Sequence, residues 1–311
     1  MGERKVYLNG QYLPESAANI SFRDAGFVFG DAVFDTARTF KGELFRLDAH
    51  LDRLYATLDY ARIDPELTKR DLAGITEQVV AMNRRLLDPN DDYWVSQRIS
   101  RGNTPVDGEP AVREGPTVVV ECTPLPLRGR ARFYLDGIDA VIPARVRVAP
   151  EALSPNAKTN NYMNMMLAQR EVSAVAPGAW ALMRDRDGNL AEGPGCNVFL
   201  VTDGELTTPT TEFVLPGISR EIALELARGA GLSVREQSIS PAAAKRADEA
   251  FFTSTSLCIC PMRSLDARVF PAGVPGPVTR RLMQGFSELV GMDYVEQYTR
   301  YATERAALAG I

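Results

Sequence analysis

The chain has 311 residues, 45% of them apolar, which is enough to bury a full core in one large or two ordinary domains. Its formal net charge of -5 provides no basic field to hold a phosphate backbone, so we expect no nucleic-acid partner. No apolar run is long enough to cross a membrane, and the start, MGERKVYLNG, lacks the apolar core of a signal peptide, so we expect no membrane association and a cytoplasmic location.

The first half of the chain predicts two hairpins, two helices and two further strands. Asn-Gly at residues 9–10 and Lys-Gly at residues 41–42 each separate two strand-like runs, and Asn-Gly is a strong hairpin signal. Amphipathic helices are predicted at about residues 48–62, with Asp48 as N-cap, and at about 67–88. The runs YWVSQRISRG and PTVVVEC predict strands.

The second half follows a connector rich in Pro and Arg, residues 123–130. Strands are predicted in FYLDGIDAVIPARVRV, a helix in NYMNMMLAQREVSAV, and hairpins around the Asp-Gly pairs at 187–188 and 203–204. GISREIALELARGAGL then predicts a helix, EAFFTSTSLCICPM two buried strands, and GPVTRRLMQGFSELV a last helix. The chain is therefore a mixed α and β protein without regular βαβ alternation.

Few residues support hydrolytic or metal chemistry. The one histidine, His50, lies among leucines at helical spacing, where a histidine is more often structural than catalytic. The cysteines have no spacing typical of zinc and are expected to be buried thiols: Cys122, Cys196, Cys258 and Cys260. Chemistry should therefore depend on lysine, carboxylates, hydroxyls or a cofactor.

A lysine stands near the middle of the chain, in SPNAKTNNYMNMM. Lysine forms a Schiff base only as the free amine, which requires a setting where its charge is costly or repelled. Lys158 has amides, a tyrosine and methionines as neighbours and no carboxylate close in sequence. This setting favours a Schiff-base lysine, and the alternative is an exposed lysine at a helix start.

Two motifs after the lysine could bind charged groups of a cofactor. Glu192 precedes Gly-Pro-Gly, whose glycines allow a close approach, and its carboxylate could hold a positively charged ring nitrogen. The helix start in LPGISREIALEL leaves backbone N–H groups without an internal partner, which makes an anion site. An ordinary turn glutamate and an ordinary capped helix are the alternatives.

Two further motifs could bind an anion. The polar turn in FFTSTSL, residues 253–256, would suit phosphate or carboxylate, or it could satisfy its own backbone. Arg53 lies in the first predicted long helix, where its guanidinium could bind a phosphate with two hydrogen bonds or be solvated. Each motif is weak alone.

Taken in order, the motifs resemble the class IV, or fold-type IV, PLP-dependent aminotransferases. The resemblance rests on FGDAVFDTARTFKGELFRLDAHLDRL, the central lysine, AEGPGCNVFLVTDGELTTP, PGISREIALELA and ADEAFFTSTSLCICPM, and it covers nearly the whole chain. It implies an α/β (α+β) fold with a small α/β domain at residues 1–122, a connector at 123–130, and a larger pseudo-barrel domain at 131–311 that binds PLP. Members are usually homodimers, and we expect a homodimer here.

The resemblance also implies the residues that bind pyridoxal 5'-phosphate. Lys158 matches the lysine that binds the cofactor covalently and moves a proton, Glu192 the acid beside the pyridine nitrogen, and Arg53 the phosphate-binding arginine. The remaining matches are the phosphate cup, the polar turn, the residue packed on the ring and the aromatic near the 3'-oxygen: Gly217, Ile218, Ser219, Thr255, Ser256, Leu215 and Tyr162. The implied reaction is ping-pong transfer of an amino group from an amine or amino acid to a 2-oxo acid.

The substrate pocket is predicted on two strands, where alternation places residues on one face. The family pattern points to Phe29, Phe34, Thr36, Arg38, Trp94, Ser96 and Arg98. Either of the two arginines, Arg38 or Arg98, could hold a substrate carboxylate or pair with a nearby aspartate.

Several of these positions depart from the branched-chain enzymes. Those enzymes typically carry tyrosine where Phe29 stands and glycine where Thr36 stands. They hold the α-carboxylate with a tyrosine and an arginine that align with Trp94 and Ser96. The resemblance therefore favours the (R)-amine or D-amino-acid transaminases. A branched-chain L-amino-acid aminotransferase, a lyase of the aminodeoxychorismate type and a cofactor-binding protein without turnover are the alternatives.

Overall fold

A computed structural model describes residues 2–108 and 114–308, without the side chains of residues 303–308. The chain forms two compact units. The first contains the residues up to Leu125 together with Ala157–Asn161, and the second contains Pro126–Asn156 and the residues from Tyr162 onward. Each unit has one sheet with helices, which confirms the predicted mixed α and β fold. The predicted domain boundaries stay a prediction.

The described residues of the first unit form a six-stranded sheet and three α-helices. Its strands are β1 (Lys5–Leu8), β2 (Gln11–Pro14), β3 (Ala32–Phe40), β4 (Glu43–Leu44), β5 (Tyr93–Ser100) and β6 (Thr117–Pro124). Its helices are α1 (Ala25–Phe29), α2 (Leu47–Ala61) and α3 (Lys69–Asn83). The strand order is β2-β1-β6-β5-β3-β4, and all neighbours are antiparallel.

Both predicted hairpins of the first unit are confirmed. Asn9 and Gly10 have φ of 49° and 90°, and Lys41 and Gly42 have φ of 53° and 80°. Two successive residues with positive φ match the right-handed twist of the flanking strands, which is why Asn-Gly is favoured there. The turns therefore fix the register of β1 with β2 and of β3 with β4.

Helix α2 buries the leucines that predicted it. Leu51, Leu54 and Leu58 are at most 2% exposed and belong to the core formed with the sheet. The predicted N-cap Asp48 is wrong: the N-cap is Arg46, in the left-handed region, and Asp48 lies in the first turn. A carboxylate in that turn is still favourable because it faces the positive end of the helix dipole.

Helix α3 is shorter than predicted. It ends at Asn83, and residues 84–86 form a separate 3-10 turn. Its start has a capping box, in which the Thr68 hydroxyl accepts the N–H of Asp71 and the Asp71 carboxylate accepts the N–H of Thr68.

In the second unit, the part of the chain that the structure describes forms a nine-stranded sheet and six α-helices. Its strands are β7 (Ile138–Val141), β8 (Trp180–Ala181), β9 (Glu192–Gly193), β10 (Cys196–Thr202), β11 (Glu205–Thr208), β12 (Val234–Glu236), β13 (Glu249–Ser254), β14 (Cys258–Leu265) and β15 (Arg268–Val269). Its helices are α4 (Leu127–Asp136), α5 (Met163–Val175), α6 (Ile218–Gly229), α7 (Pro241–Ala244), α8 (Pro277–Val290) and α9 (Tyr294–Leu308). The strand order is β12-β11-β10-β13-β14-β7-β8, with β9 beside β10 and β15 beside β14.

Two predictions for the second unit are wrong. Residues 127–136 form α4, although the sequence predicted the end of a connector followed by a strand. Leu127, Ala131 and Tyr134 are buried, and their spacing of three to four residues is that of one face of a helix. This spacing favours a helix over a strand. The helix predicted as the last, α8, is followed by α9.

All four cysteines are free and buried, as predicted. Burial raises the pKa of Cys122 to about 12, and it also raises the pKa of Cys196 and Cys260. Because the thiolate is the reactive form, these thiols are inert at neutral pH.

None of the described helices combines the length and the apolar character that crossing a membrane requires.

Candidate active site

The segment that carries Lys158 is bound to β3 through its backbone. The Lys158 carbonyl accepts the N–H of Phe34 at 2.9 Å, and the N–H of Asn160 donates to the Ala32 carbonyl at 2.8 Å. The N–H of Lys158 faces the hydroxyl of Thr57, in α2, at 3.3 Å. The position of the lysine is therefore set by main-chain contacts within the first unit.

Arg53, the predicted phosphate-binding arginine, is held by a buried carboxylate. Its Nε and Nη2 donate to the two oxygens of Asp35 at 2.8 and 2.9 Å. His50 Nδ1 lies 2.7 Å from the same carboxylate, and Asp35 is fully buried. A paired guanidinium of this kind has a fixed direction, as anion recognition requires.

The charge state of this group follows from its surroundings. Burial disfavours the ionised form of Asp35, but the neighbouring Arg53 and His50 outweigh it and hold the pKa of that carboxyl well below its usual range. Burial lowers the pKa of His50, and its hydrogen bond to Asp35 only partly opposes this. At neutral pH His50 is therefore uncharged, and its Nδ1–H donates to the carboxylate.

Four of the predicted substrate residues share one face of β3 and β5. Phe34 is paired with Arg98 and Thr36 with Ser96 across the two strands, and the hydroxyls of the second pair are 3.1 Å apart. The Arg98 guanidinium carbon and the Lys158 Nζ each lie 4.8 Å from the centroid of the Phe34 ring. The exposed Arg98 also lines a cavity of about 420 Å³ within the first unit.

The other three predicted substrate residues, Arg38, Trp94 and Phe29, are not among the residues that contact Phe34 and Lys158 in this way. Arg38 is 1% exposed, lies over the Phe40 ring, and is 3.8 Å from Asp92. Trp94 is half-buried opposite Arg38 on β5, and Phe29 is 68% exposed at the end of α1. The contacts of Arg38 are those of a structural arginine.

The second unit buries the carboxylate of Glu192. Glu192 is 3% exposed, and its Oε1 accepts from Arg147 Nε at 2.9 Å and lies 2.8 Å from Arg147 Nη2. Its Oε2 accepts the backbone N–H of Leu215 at 3.1 Å. This burial and these partners differ from those of a solvent-exposed turn glutamate, the alternative for this residue.

The start of α6 has the geometry predicted for an anion site. Gly217 is the N-cap and provides no side chain for the first N–H groups, and Ser219 is buried in the first turn. A Cβ on Gly217 would lie 2.2 Å from Asn197 Oδ1, so any other residue there would displace the Asn197 side chain. Asn197 Nδ2 in turn donates to the Leu215 carbonyl at 3.0 Å and fixes the approach to the helix.

The polar turn between β13 and β14 contains Thr255, half-buried, and Ser256, buried. Arg130, in α4, donates to the Ser256 hydroxyl. The Oγ1 of Thr253, at the end of β13, is buried with no hydrogen-bond partner among the described residues.

Three buried tyrosines hold the backbone of this turn. Tyr298 donates its hydroxyl to the Ser256 carbonyl, Tyr134 to Leu257 at 2.7 Å, and Tyr294 to Ile259 at 2.7 Å. The turn is therefore fixed by α4 and α9. Tyr162, the predicted neighbour of the cofactor's 3'-oxygen, is the half-buried N-cap of α5.

The sequence did not predict three residues that hold the site: Asp35, which binds Arg53, Arg147, which binds Glu192, and Asn197, which binds the Leu215 carbonyl. Asp35 could have been found, because alternation places it on the face of β3 opposite to Phe34 and it is the one carboxylate of that strand. Arg147 and Asn197 carry no local signal, because each acts on a residue distant in sequence or in an unrelated element.

The residues of each unit fit the predicted cofactor. The second unit provides a buried carboxylate suited to a pyridinium nitrogen and an uncapped helix start suited to a phosphate. The first provides an amine on a fixed backbone and an oriented guanidinium.

Comparison with known proteins decides the family. The profile of the family described as amino-transferase class IV matches residues 32–265. The chain belongs to the class IV aminotransferases.

Relatives of this aminotransferase carry two kinds of name. It is 31% identical to a Methanocaldococcus jannaschii protein provisionally named a branched-chain-amino-acid aminotransferase, over 92% of this chain and 96% of that protein. It is 29% identical to the D-alanine aminotransferase of Bacillus licheniformis, over 89% and 94%. The structure of the Escherichia coli branched-chain amino acid aminotransferase superposes with a TM-score of 0.84 at 28% identity, covering 93% of this chain and 95% of that one.

Family membership confirms the predicted enzyme class and cofactor. Class IV aminotransferases depend on pyridoxal 5'-phosphate, so this aminotransferase is a PLP enzyme whose substrates are amino-group donors and 2-oxo acids.

Proposed function

We propose that this aminotransferase takes amino groups from D-amino acids or (R)-amines and gives them to 2-oxo acids by a ping-pong mechanism. The observation that supports an amino acid as the donor is Arg98, which within the described part of the first unit forms no ion pair with a carboxylate. It lies on the same Phe34 ring as Lys158 and could hold the α-carboxylate of a substrate. Arg98 therefore favours an amino acid over a simple amine.

We assign roles to the protein's own groups as the family pattern does. When bound, PLP supplies a carbonyl that accepts the amino group and a ring that withdraws electrons. Lys158 binds it and moves the proton at the donor Cα, while Arg53, directed by Asp35, binds phosphate. The start of α6 and the polar turn contribute further donors to the phosphate, and Leu215 and Tyr162 position the ring.

A branched-chain L-amino-acid aminotransferase is the second candidate. It is supported by the names of two of the three relatives above. Against it stand Trp94 and Ser96, at the positions where the branched-chain pattern has a carboxylate-binding tyrosine and arginine. None of the three relatives is named as a lyase.

A panel of half-reactions tests the proposal. Each donor is added alone to the PLP form, and the loss of the cofactor's visible absorbance is followed for D- and L-amino acids and for (R)- and (S)-amines. We expect D-alanine to react fastest, with (R)-1-phenylethylamine ahead of its (S) enantiomer. Reaction with L-leucine while D-alanine and (R)-1-phenylethylamine fail would contradict the preference.

The same panel tests Arg98. In Arg98→Gln we expect the KM for D-alanine to rise by about tenfold or more, because a charge-assisted hydrogen bond of about 1.5–3 kcal/mol is lost. The KM for (R)-1-phenylethylamine, which has no carboxylate, should stay the same. The control is Arg101→Gln, whose guanidinium pairs with Asp31. An equal loss for both donors would remove Arg98 from carboxylate binding.

We also propose that the aminotransferase is a homodimer. Five large apolar residues of the first unit are exposed close together in sequence: Ile20, Phe22, Phe27, Val28 and Phe29. Phe22 and Phe27 are 74% and 76% exposed, and apolar clusters of this kind mark protein interfaces. Sedimentation velocity should give twice the mass of one chain, and a monomer would contradict the proposal. The cytoplasmic location stays a prediction.

A further inference from the structure

The two oxygens of the buried Glu192 carboxylate have different partners. Oε1 faces both Nε and Nη2 of Arg147, at 2.9 and 2.8 Å. Oε2 accepts the N–H of Leu215 at 3.1 Å, and Asn197 Nδ2 is 3.5 Å away, too far for more than a weak contact. Arg147 and Glu192 are 13% and 3% exposed, so water screens the pair little.

These partners leave one oxygen with capacity for a ligand. A carboxylate offers about four acceptor positions, two on each oxygen. Arg147 uses both positions of Oε1, whereas Leu215 uses one position of Oε2. A further donor with a strong hydrogen bond would therefore bind to Oε2.

We propose that Arg147 is a positioning residue that turns the Glu192 carboxylate so that Oε2 meets the ring nitrogen of the cofactor. This inference rests on the proposed role of Glu192 as the partner of that nitrogen. Arg147 acts through Glu192 alone and touches no reacting atom. A lysine could not replace it fully, because one ammonium does not reproduce the two parallel donors of the guanidinium.

The pairing also determines how strongly Glu192 attracts a proton on the ring. A carboxylate next to a guanidinium presents less net negative charge than an isolated one. Arg147 thus moderates the attraction, but its larger effect is to fix the direction of the hydrogen bond. Loss of Arg147 removes the direction, and the buried carboxylate is free to turn toward its remaining donors.

The test compares PLP with 1-deazapyridoxal 5'-phosphate, in which a carbon replaces the ring nitrogen. Dissociation constants are measured by fluorescence on the full chain after removal of the cofactor. We expect Arg147→Gln to weaken PLP by about tenfold and to leave the carbon analogue within a factor of about two, because only PLP loses a charge-assisted hydrogen bond. A purely structural role for Arg147 would weaken both equally.

Two further variants separate the possible results. Arg145→Gln is the matched control, because Arg145 is two residues away, is exposed, and lies 3.9 Å from Glu171; it should change neither constant. Arg147→Lys keeps a cation, should show a smaller selective loss, and decides the test if the glutamine variant does not fold.

Glu192→Gln distinguishes failure of this inference from failure of the proposed function. It should weaken PLP selectively, and by more than Arg147→Gln does. If it does so while both Arg147 variants affect the two ligands equally, the inference about Arg147 is overturned alone. If Glu192→Gln itself is not selective, the proposed role of Glu192 is wrong and the inference falls with it.

Discussion

Replacement of Lys158 by alanine is expected to abolish transamination and to leave the fold intact. The loss should be at least about 10²–10⁴-fold in kcat, the range for removal of a positioned proton-transfer group, and covalent attachment of the cofactor is lost as well. The fold should persist because the segment is held by the Lys158 carbonyl and the Asn160 N–H, which alanine does not disturb.

The measurement is steady-state turnover with D-alanine and a 2-oxo acid, together with circular dichroism and thermal unfolding. Lys69→Ala is the matched control, because Lys69 pairs with Asp52 on the surface. It should retain wild-type kcat. Wild-type turnover by the Lys158 variant would remove the central proposal about this site.

Replacement of Asp35 by asparagine is expected to give the largest loss of stability among the substitutions considered. The change leaves the Arg53 guanidinium, with a side chain 9% exposed, without its buried counter-charge. Breaking a buried ion pair by removing one partner costs about 3–5 kcal/mol of unfolding free energy. The dissociation constant for PLP should also rise, because Arg53 loses the group that directs it.

The stability effect should depend on pH in one direction. The folded pKa of Asp35 lies below its value in the unfolded chain, which is about 3.9. Its contribution is therefore fully present above that value and is lost as the pH falls toward the folded pKa. Urea unfolding of wild type and Asp35→Asn should differ most near pH 7 and progressively less below about pH 4.

The exposed ion pair of Asp52 with Lys69 provides the control for the unfolding measurements on Asp35→Asn. Asp52 and Lys69 have side chains 65% and 46% exposed, so Asp52→Asn should leave unfolding unchanged within the scatter of the measurement. An Asp35→Asn variant as stable as Asp52→Asn would show that the buried network contributes no net stability.

Local signals in the sequence predicted much of the fold. The hairpins at 9–10 and 41–42 and the leucine stripe of α2 depend on neighbours within a few residues, and they are confirmed. The error at α4 has the same local origin, because a run with aromatic and apolar residues satisfied both a strand and a helix pattern.

Contacts between distant residues limited prediction of the site. Arg53 meets Asp35 across 18 positions and Arg147 meets Glu192 across 45, and no periodicity relates them. The alternation along β3 and β5 places Arg38 and Arg98 on the same face, so it did not show which of them is paired within the sheet and which could bind a substrate. The difference is the buried Asp92 close to Arg38, which only the folded sheet shows.

The burial of the thiols has a practical consequence for spectroscopy. Since Cys122, Cys196 and Cys260 stay protonated and all four native thiols are covered, the folded enzyme gives little background in a maleimide reaction. A single cysteine introduced on the surface of either unit would therefore carry a fluorophore or spin label selectively. The native chain can thus serve as its own labelling background, without replacement of buried residues that pack in the core.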